Sequence, residues 1–323
     1  MKKPFLILII IFFFSIMVIF FLNNNNILTI KNILSPLKLT DAIVDNYFSN
    51  DIEKKSESIK RIKEIVLTDL GYDDWMDYSK YMNILVFPKD INQDNNLDVI
   101  IALNLSKDSG VVAIYEKTNE SYQFKDSIKD LSYIEYVSIL TANSDIFLII
   151  EEVIDEKLGG YFYDESVVIY YKDDTYKRIF QESKNYESYF YEGWKNNDIK
   201  NPKWFKLIES NLIDIVPDDS TISIDVNKQL EVYTSDESTT SIPSNFNLSE
   251  DKEFSINYYW SDKYKYFIQQ EGKIVDTGEI VGIISISDQN VDSYLNKDKV
   301  IYKIINDARD IKLEDSNNIR VLE

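Results

Sequence analysis

The sequence predicts an α+β fold, in which an N-terminal transmembrane helix and a short helical segment precede antiparallel β-hairpin repeats with one inserted helix. Three observations support this. Residues 4–22 are apolar except for Ser15, apolar residues then recur at helical spacing up to Leu70, and β-rich runs separated by Asn, Asp and Ser follow from Met82. The predicted segments are an anchor or signal segment (1–22), a linker (23–35), a helical segment (36–80), a β-repeat region (81–200), and a helix plus C-terminal β region (201–323).

The first segment is long enough to cross a membrane. At about 1.5 Å per residue, residues 4–22 would span about 28 Å as a helix, close to the bilayer core of about 30 Å. Lys2 and Lys3 precede the run and the next charge is Lys31, so the positive-inside rule predicts a cytoplasmic N-terminus. A cleaved signal peptide is the alternative, but the flank FFLN at 20–23 lacks the small residues of a cleavage site. The expectation is therefore a single-pass protein of the cell membrane with an extracytoplasmic bulk.

Composition excludes several kinds of chemistry. The chain has no histidine and no cysteine, which removes Ser-His-Asp and Cys-His nucleophiles, imidazole or thiolate zinc sites, and disulfides. The formal charge of −20 argues against nucleic acid as a partner. The phosphate-binding motifs G-x-x-x-x-G-K-[ST] and G-x-G-x-x-G are both absent from the sequence, so nucleotide binding has no support. The 23 tyrosines do not by themselves indicate an aromatic binding surface, because the abundant residues here share A/T-rich codons.

Two segments show helical spacing. In residues 37–70 it predicts two helices divided near Ser49, with Thr40 placed to cap the first and Gly71 to end the second. This pair is expected to pack against the following sheet, with partner docking as the alternative. The inserted helix is predicted over residues 201–217, where Asn201 and Pro202 supply a start signal and Pro217 a stop.

An internal repeat lies within the β region. The segment VAIYEKTNESYQF from Val112 aligns with VVIYYKDDTYKRIF from Val167, at an offset of 55 residues, and a weaker third copy begins at Asn257. Each copy is expected to be a strand, a short polar turn and a second, aromatic strand. Further strands are predicted before the first two copies, at Val99–Leu103 and Ile146–Ile150.

One loop carries a pattern with metal chemistry. The sequence DINQDNNLDVIIAL starts at residue 90 and places oxygen side chains at alternate positions, with one backbone carbonyl between the last two. Calcium takes six to eight oxygen ligands at about 2.3–2.6 Å. The predicted calcium ligands are Asp90, Asn92, Asp94, Asn96 (through its carbonyl) and Asp98. Asn95 stands where such loops have glycine, because asparagine tolerates the left-handed conformation. An EF-hand is excluded, since its twelfth residue would be Ile101 instead of glutamate.

This loop resembles the D-x-[DN]-x-D-G-x-x-D signature of FG-GAP repeats, the blade-forming units of integrin-α-like and VCBS-type β-propellers. The resemblance covers residues 84–128 well and residues 131–181 weakly, where the spaced carboxylates are missing. It implies a loop that joins two blade strands and binds calcium through the residues named above. The chain is too short for seven blades of 55 residues, so an isolated blade-like unit is expected.

The expected function is non-catalytic: a membrane-anchored, envelope-associated or binding protein with a structural calcium loop and a protein or glycan ligand at the cell surface. Residues 4–22 are its expected contact with the membrane, and no catalytic or other cofactor-binding residues are predicted. One alternative is a cell-wall-active hydrolase using paired carboxylates, with candidates among Glu151, Glu152, Asp155 and Glu156. The other is a structural spacer.

Overall fold

The computed structural model describes residues 38–142, 145–157, 160–194, 199–217, 222–237, 239, 241–290 and 299–322. Of these residues, 61% lie in strands. The predicted α+β class is therefore wrong, and the described part of the chain is mostly β. The chain divides into two compact units.

The first unit comprises residues up to Met76 together with 117–123, and it contains helices α1 (Asp41–Tyr47) and α2 (Ile52–Leu70). Thr40 occupies the N-cap position of α1 without a side-chain capping bond, whereas the Asp51 carboxylate caps α2 by accepting two backbone N–H bonds. Gly71 ends α2 in the left-handed conformation, at φ 72°. The Ser58 hydroxyl donates to the Ile43 carbonyl at 2.6 Å and ties the two helices together. Strand β1 (Leu39–Thr40) pairs with residues 121–122.

The second unit comprises residues 77–116 and 124–323 and begins with a small antiparallel sheet. Its strands are β2 (Asn83–Lys89), β3 (Asp98–Ser106), β4 (Ser109–Thr118) and β5 (Ser121–Leu131), adjacent in that order, although the end of β4 and the start of β5, residues 117–123, are counted with the first unit. All of β3 except Ser106 is buried. Its apolar run, Val99–Leu103, is typical of a strand that is covered on both faces.

An eight-stranded meander follows, in which each strand pairs antiparallel with the next along the chain. Its strands are β6 (Tyr133–Ala142), β7 (Asp145–Glu156), β8 (Tyr161–Lys172), β9 (Tyr176–Tyr191), β10 (Trp204–Pro217), β11 (Ile222–Ser235), β12 (Asn247–Ser261) and β13 (Tyr266–Ile268). One face buries two apolar clusters. The larger surrounds Phe147, Ile224 and Phe267, and the smaller surrounds Leu207, Leu230 and Val232.

A third sheet closes the described chain. Its strands are β14 (Gln270–Ile274), β15 (Ile280–Ile286), β16 (Ile301–Ile305), β17 (Ile311–Asp315) and β18 (Ile319–Val321), in the order β17-β16-β15-β14-β18. Its core is built on Val281, Ile283 and Ile304.

The helix predicted over residues 201–217 is wrong. Residues 204–217 form β10, which pairs with β11 from Trp204↔Ser235 to Pro217↔Ile222 and with β9 over its first half. Leu207 and Glu209, two residues apart, are both buried, which is the side-chain period of a strand. Hydrogen-bonded partners on both sides override an apolar spacing that also fits a helix.

The repeated hairpins are strands where the repeat predicts them. Val112 lies in β4, directly after β3, and Val167 lies in β8, directly after β7. The hairpin β8–β9 pairs residues 161–172 with residues 176–189, and β4 is adjacent to β5. The third copy begins in β12 and continues toward β13.

The predicted transmembrane helix is also corrected. No helix among the described residues is long and apolar enough to cross a membrane; the longest, α2, carries nine charged residues in nineteen. The predicted anchor, residues 4–22, lies outside the described residues.

Candidate functional site

The predicted calcium loop connects β2 to β3. Asn95 has a φ of 67° and thus adopts the left-handed conformation expected of it, and Gln93 does the same at 60°. Ile101 lies within β3, which confirms that the segment is not an EF-hand. The loop therefore has the left-handed turn at Asn95 that its sequence predicts, and it joins two adjacent antiparallel strands.

Most of the predicted ligands accept hydrogen bonds from the loop's own backbone. The Asp90 carboxylate accepts from the amides of Asp94 at 3.2 Å and Asn95 at 2.9 Å, and the Asp94 carboxylate accepts from Asn96 at 2.7 Å. This last bond is the main reason that the pKa of Asp94 lies below its usual value. Asp98, which is 1% exposed, accepts from the Ile91 amide at 3.1 Å. The loop is closed by its carboxylates.

Glu116 on β4 also contacts the loop, although the loop's sequence gives no sign of it. The Asn92 amide group donates to Glu116 at 3.0 Å and to Asp94 at 3.2 Å. Lys125 lies 2.6 Å from Glu116 and, through its hydrogen bond, lowers the pKa of that carboxyl. Asn92 thus bridges two carboxylates through its nitrogen, while its oxygen accepts from the Asp94 amide.

The loop fits calcium in the chemistry of its donors but not in their convergence. All the donors are oxygens, and each carboxylate oxygen that accepts one N–H still has a lone pair for a cation. Within the described residues, however, no three acidic side chains are placed to hold a metal ion. The Asn92 oxygen is directed at a backbone amide. Ion binding would require these side chains to turn.

The carboxylates proposed for a hydrolase do not form a pair. Glu151, Glu152, Asp155 and Glu156 all lie in β7, which pairs with β8 without a bulge over residues 147–156. Neighbouring residues point to opposite faces, and Glu151 and Asp155, on the same face, are about 13 Å apart at about 3.3 Å per residue. This separation exceeds the distance between the two catalytic carboxyl groups of glycosidases, which is about 5–5.5 Å in retaining and about 6.5–9.5 Å in inverting enzymes. Glu151 instead lies 2.9 Å from Lys184, and Glu152 accepts from the Ser132 amide at 2.8 Å.

An aromatic groove lies where β8 begins and β9 ends, with a volume of about 450 Å³. Its aromatic lining is Tyr161, Phe162, Tyr186, Tyr189, Phe190 and Trp194. Among the described residues of the lining, Glu156 is the one charged side chain, and Ser188 supplies a hydroxyl. The described lining therefore carries a single charge, with Lys157 and Lys206 over the Tyr161 and Tyr189 rings at its border.

Packing beneath the groove holds these rings in place. Trp204 is fully buried, donates its indole N–H to the Thr239 carbonyl at 2.8 Å, and packs edge-on against Trp194 at 5.1 Å. Trp194 itself is 51% exposed. Gly160 is required here because a Cβ would collide with the Tyr189 carbonyl. The groove thus presents an exposed indole on a rigid support.

Two lysine clusters lie along β9 between the ends of the β8–β9 hairpin. Lys228 of β11 is buried and lies 2.5 Å from Glu182 and 3.0 Å from Glu209. Burial has the largest single effect on the pKa of both residues, and it raises the pKa of Glu182. For Lys228, burial acts to lower the pKa, but the two carboxylates together outweigh it, so the pKa of Lys228 is raised. Lys184, about one-third exposed, lies 2.9 Å from Glu151 and 2.8 Å from Glu165. These clusters have the same composition but different access to water.

Comparisons with protein-family models, curated proteins and solved structures return no match for this chain. The resemblance of residues 84–128 to FG-GAP repeats therefore stays a prediction. The groove was missed by the sequence analysis, since its tyrosines are scattered through a tyrosine-rich chain. The available signal was the aromatic cluster YESYFY at 186–191.

Proposed function

We propose that this protein is a non-catalytic binding module that holds a neutral glycan in the aromatic groove of β8 and β9. The observation that carries the proposal is the nearly uncharged aromatic lining around the half-exposed Trp194. The volume of about 450 Å³ falls within the about 300–1,000 Å³ typical of ligand sites.

The chemistry of the lining matches that of a sugar. A pyranose ring has an apolar C–H face that packs on flat aromatic rings, and hydroxyls at its edge that need polar partners. The Tyr161 and Tyr189 rings, 6.0 Å apart, and the Trp194 indole supply apolar surface. Ser188 and Glu156 supply a hydroxyl and a carboxylate acceptor. Among the described residues of the lining, a charged ligand would find Glu156 as its one charged partner.

The test is calorimetric titration of the full chain with neutral tetrasaccharides of glucose and of N-acetylglucosamine. Trp194→Ala should weaken binding about tenfold, the equivalent of about 1.4 kcal/mol. Trp75→Ala is the matched control, because Trp75 is also exposed but does not line the groove, and it should leave the affinity unchanged. Absence of binding to every tetrasaccharide, or equal loss in both variants, would overturn the proposal.

Calcium is proposed as a second, structural component of the same module. The supporting observations are the oxygen-only donors of the loop, the left-handed Asn95, and the buried Asp98 at its end. Asp90, Asp94 and Asp98 would supply the carboxylates, and the Asn96 carbonyl and the Asn92 side chain would complete the protein's share. A bound ion would supply a fixed positive charge to these oxygens once their side chains had turned from the backbone amides that they contact. An extracytoplasmic location stays a prediction from the sequence.

A further inference from the structure

A second concavity differs from the aromatic groove in its charge. It has a volume of about 550 Å³ and lies beside the turn between β8 and β9 and the turn between β16 and β17. Its charged lining consists of Lys177, Arg178, Lys265, Arg309, Asp173 and Asp307. Four cations and two carboxylates give this lining a net charge of +2, although the whole chain carries −20.

The cations converge because the two turns are joined there. The Arg309 guanidinium donates to the Asp173 carboxylate at 2.7 Å, and Lys177 shares the same carboxylate at 3.5 Å. Both hydrogen bonds lower the pKa of Asp173, and the bond from Arg309 has the larger effect. One carboxylate thus serves two cations. Arg309, with five N–H donors, retains donors for a further anion.

The remaining two cations are held on aromatic rings. The Lys265 ammonium lies 5.7 Å from the centre of the Tyr171 ring and 2.9 Å from Asp262, which is not part of the lining. Arg178 lies over Tyr170 at 5.7 Å, donates to its hydroxyl, and is 3.8 Å from the buried Glu152. Their positions are therefore fixed in the absence of a ligand, which reduces the entropy lost on binding.

We propose that this cationic pocket binds a small organic anion of about the size of a sugar, whose carboxylate or phosphate accepts hydrogen bonds from the remaining N–H donors of Arg309 and Lys177 beside Asp173, and whose ring packs on Tyr171 and Tyr266. The guanidinium favours planar or tetrahedral oxyanions because it can donate two parallel hydrogen bonds. The tyrosine rings, which also line the pocket, provide the apolar contact that inorganic phosphate cannot use. The proposal is independent of glycan binding at the groove.

Three probes with one ring distinguish the sources of the anion. Glucuronate carries a carboxylate, glucose 6-phosphate carries a phosphate, and glucose carries neither. Calorimetric titration of the full chain should show that at least one of the two anions binds in the pocket. Glucose should not bind there. The tighter of the two identifies the preferred oxyanion. Inorganic phosphate should bind more weakly than glucose 6-phosphate, because it lacks the ring.

The variants place the anion in the pocket. Arg309→Gln should weaken anion binding about 10- to 100-fold, the usual effect of losing a hydrogen bond to a charged group. Lys177→Gln should weaken anion binding less. It provides a second test in case Arg309→Gln does not fold, since the Lys177 side chain is 53% exposed and its replacement should leave the fold intact. Arg320→Gln, an exposed arginine of β18 outside the pocket, is the matched control and should have no effect. The proposal is overturned if folded wild-type protein binds neither anion, or if all three variants lose affinity equally.

Discussion

The aromatic groove and the cationic pocket lie at opposite ends of one β-hairpin. Tyr161 of the groove and Tyr171 of the pocket are ten residues apart on β8, about 33 Å along the strand. Both ends are rich in tyrosine, so aromatic content does not distinguish them. The charged residues of the two linings do. Glu156 is the one charged residue described in the lining of the groove, with Lys157, Glu187 and Lys206 on the tyrosines around it, whereas four cations and two carboxylates line the pocket. The choice of ligand therefore depends on the charged residues at each end, of which Lys177 and Arg178 belong to the hairpin itself, whereas Lys265 and Arg309 come from later in the chain.

The largest expected effect concerns the middle of the hairpin, on which both ends depend. Lys228→Met keeps the apolar stem but leaves the buried Glu182 and Glu209 without their cation. We expect a loss of about 3–5 kcal/mol in the free energy of unfolding, because an uncompensated buried charge is costly. Urea denaturation measures this loss, and both ligands should be affected alike, since β9 contributes to both sites.

The control for this prediction neutralises the whole cluster. The triple variant Glu182→Gln, Glu209→Gln, Lys228→Met should recover much of the lost stability, since no ionised group remains in the cluster. A loss of less than about 1 kcal/mol in Lys228→Met would show that the cluster is hydrated, and the contrast between the buried Lys228 and the partly exposed Lys184 would disappear.

Calcium should have the next largest effect. It should raise the stability of the protein without changing its affinity for either ligand. If the ion binds only the folded form, it stabilises the protein by about 2.7 kcal/mol at a hundredfold excess over Kd. Extracellular sites bind at about 10⁻⁴–10⁻³ M, so the melting temperature should be followed up to about 10 mM calcium. Affinities at the groove and the pocket should not change, because no predicted ligand of the loop lines either site.

Asp94→Ala is the control for calcium, since it removes a central carboxylate of the loop. Its melting temperature should not respond to calcium. A wild-type melting temperature that is indifferent to both calcium and chelator would reduce the loop to an asparagine-rich turn, and so would an equal response of the variant.

The smallest effect is expected at the cluster of Lys184, which is about one-third exposed. Lys184→Ala should cost about 1 kcal/mol or less, as solvent screens its two carboxylates. The hydrogen bond from Lys184 lowers the pKa of Glu165. Its stabilisation is therefore present above the usual pKa of glutamate and is lost as the pH falls through the lowered value. Denaturation at neutral and acidic pH should show this dependence in the wild type and a weaker one in Lys184→Ala; an unchanged dependence would contradict it.

The sequence predicted those features that depend on local chemistry. Gly71 and Asn95 adopt positive φ because few other residues tolerate it, and the 55-residue repeat marked two strands correctly. Sequence reasoning failed where contacts between distant parts of the chain determine the structure. Residues 204–217 have apolar spacing that fits a helix, yet β9 and β11 hold them as a strand. Arg309 and Asp173 meet in the pocket although 136 residues separate them, and no local pattern marks that contact.

The most direct test of the difference between the two ends is the salt dependence of both ligands on the same protein. A neutral tetrasaccharide and the preferred sugar anion are titrated at about 0.1 M and about 1 M salt, between which the Debye length falls from about 10 Å to about 3 Å. We expect the affinity for the neutral glycan to stay within about twofold and that for the anion to fall by about tenfold or more. Equal responses of the two ligands, or competition between them for one site, would contradict the assignment of separate neutral and anionic sites to the two ends of the hairpin.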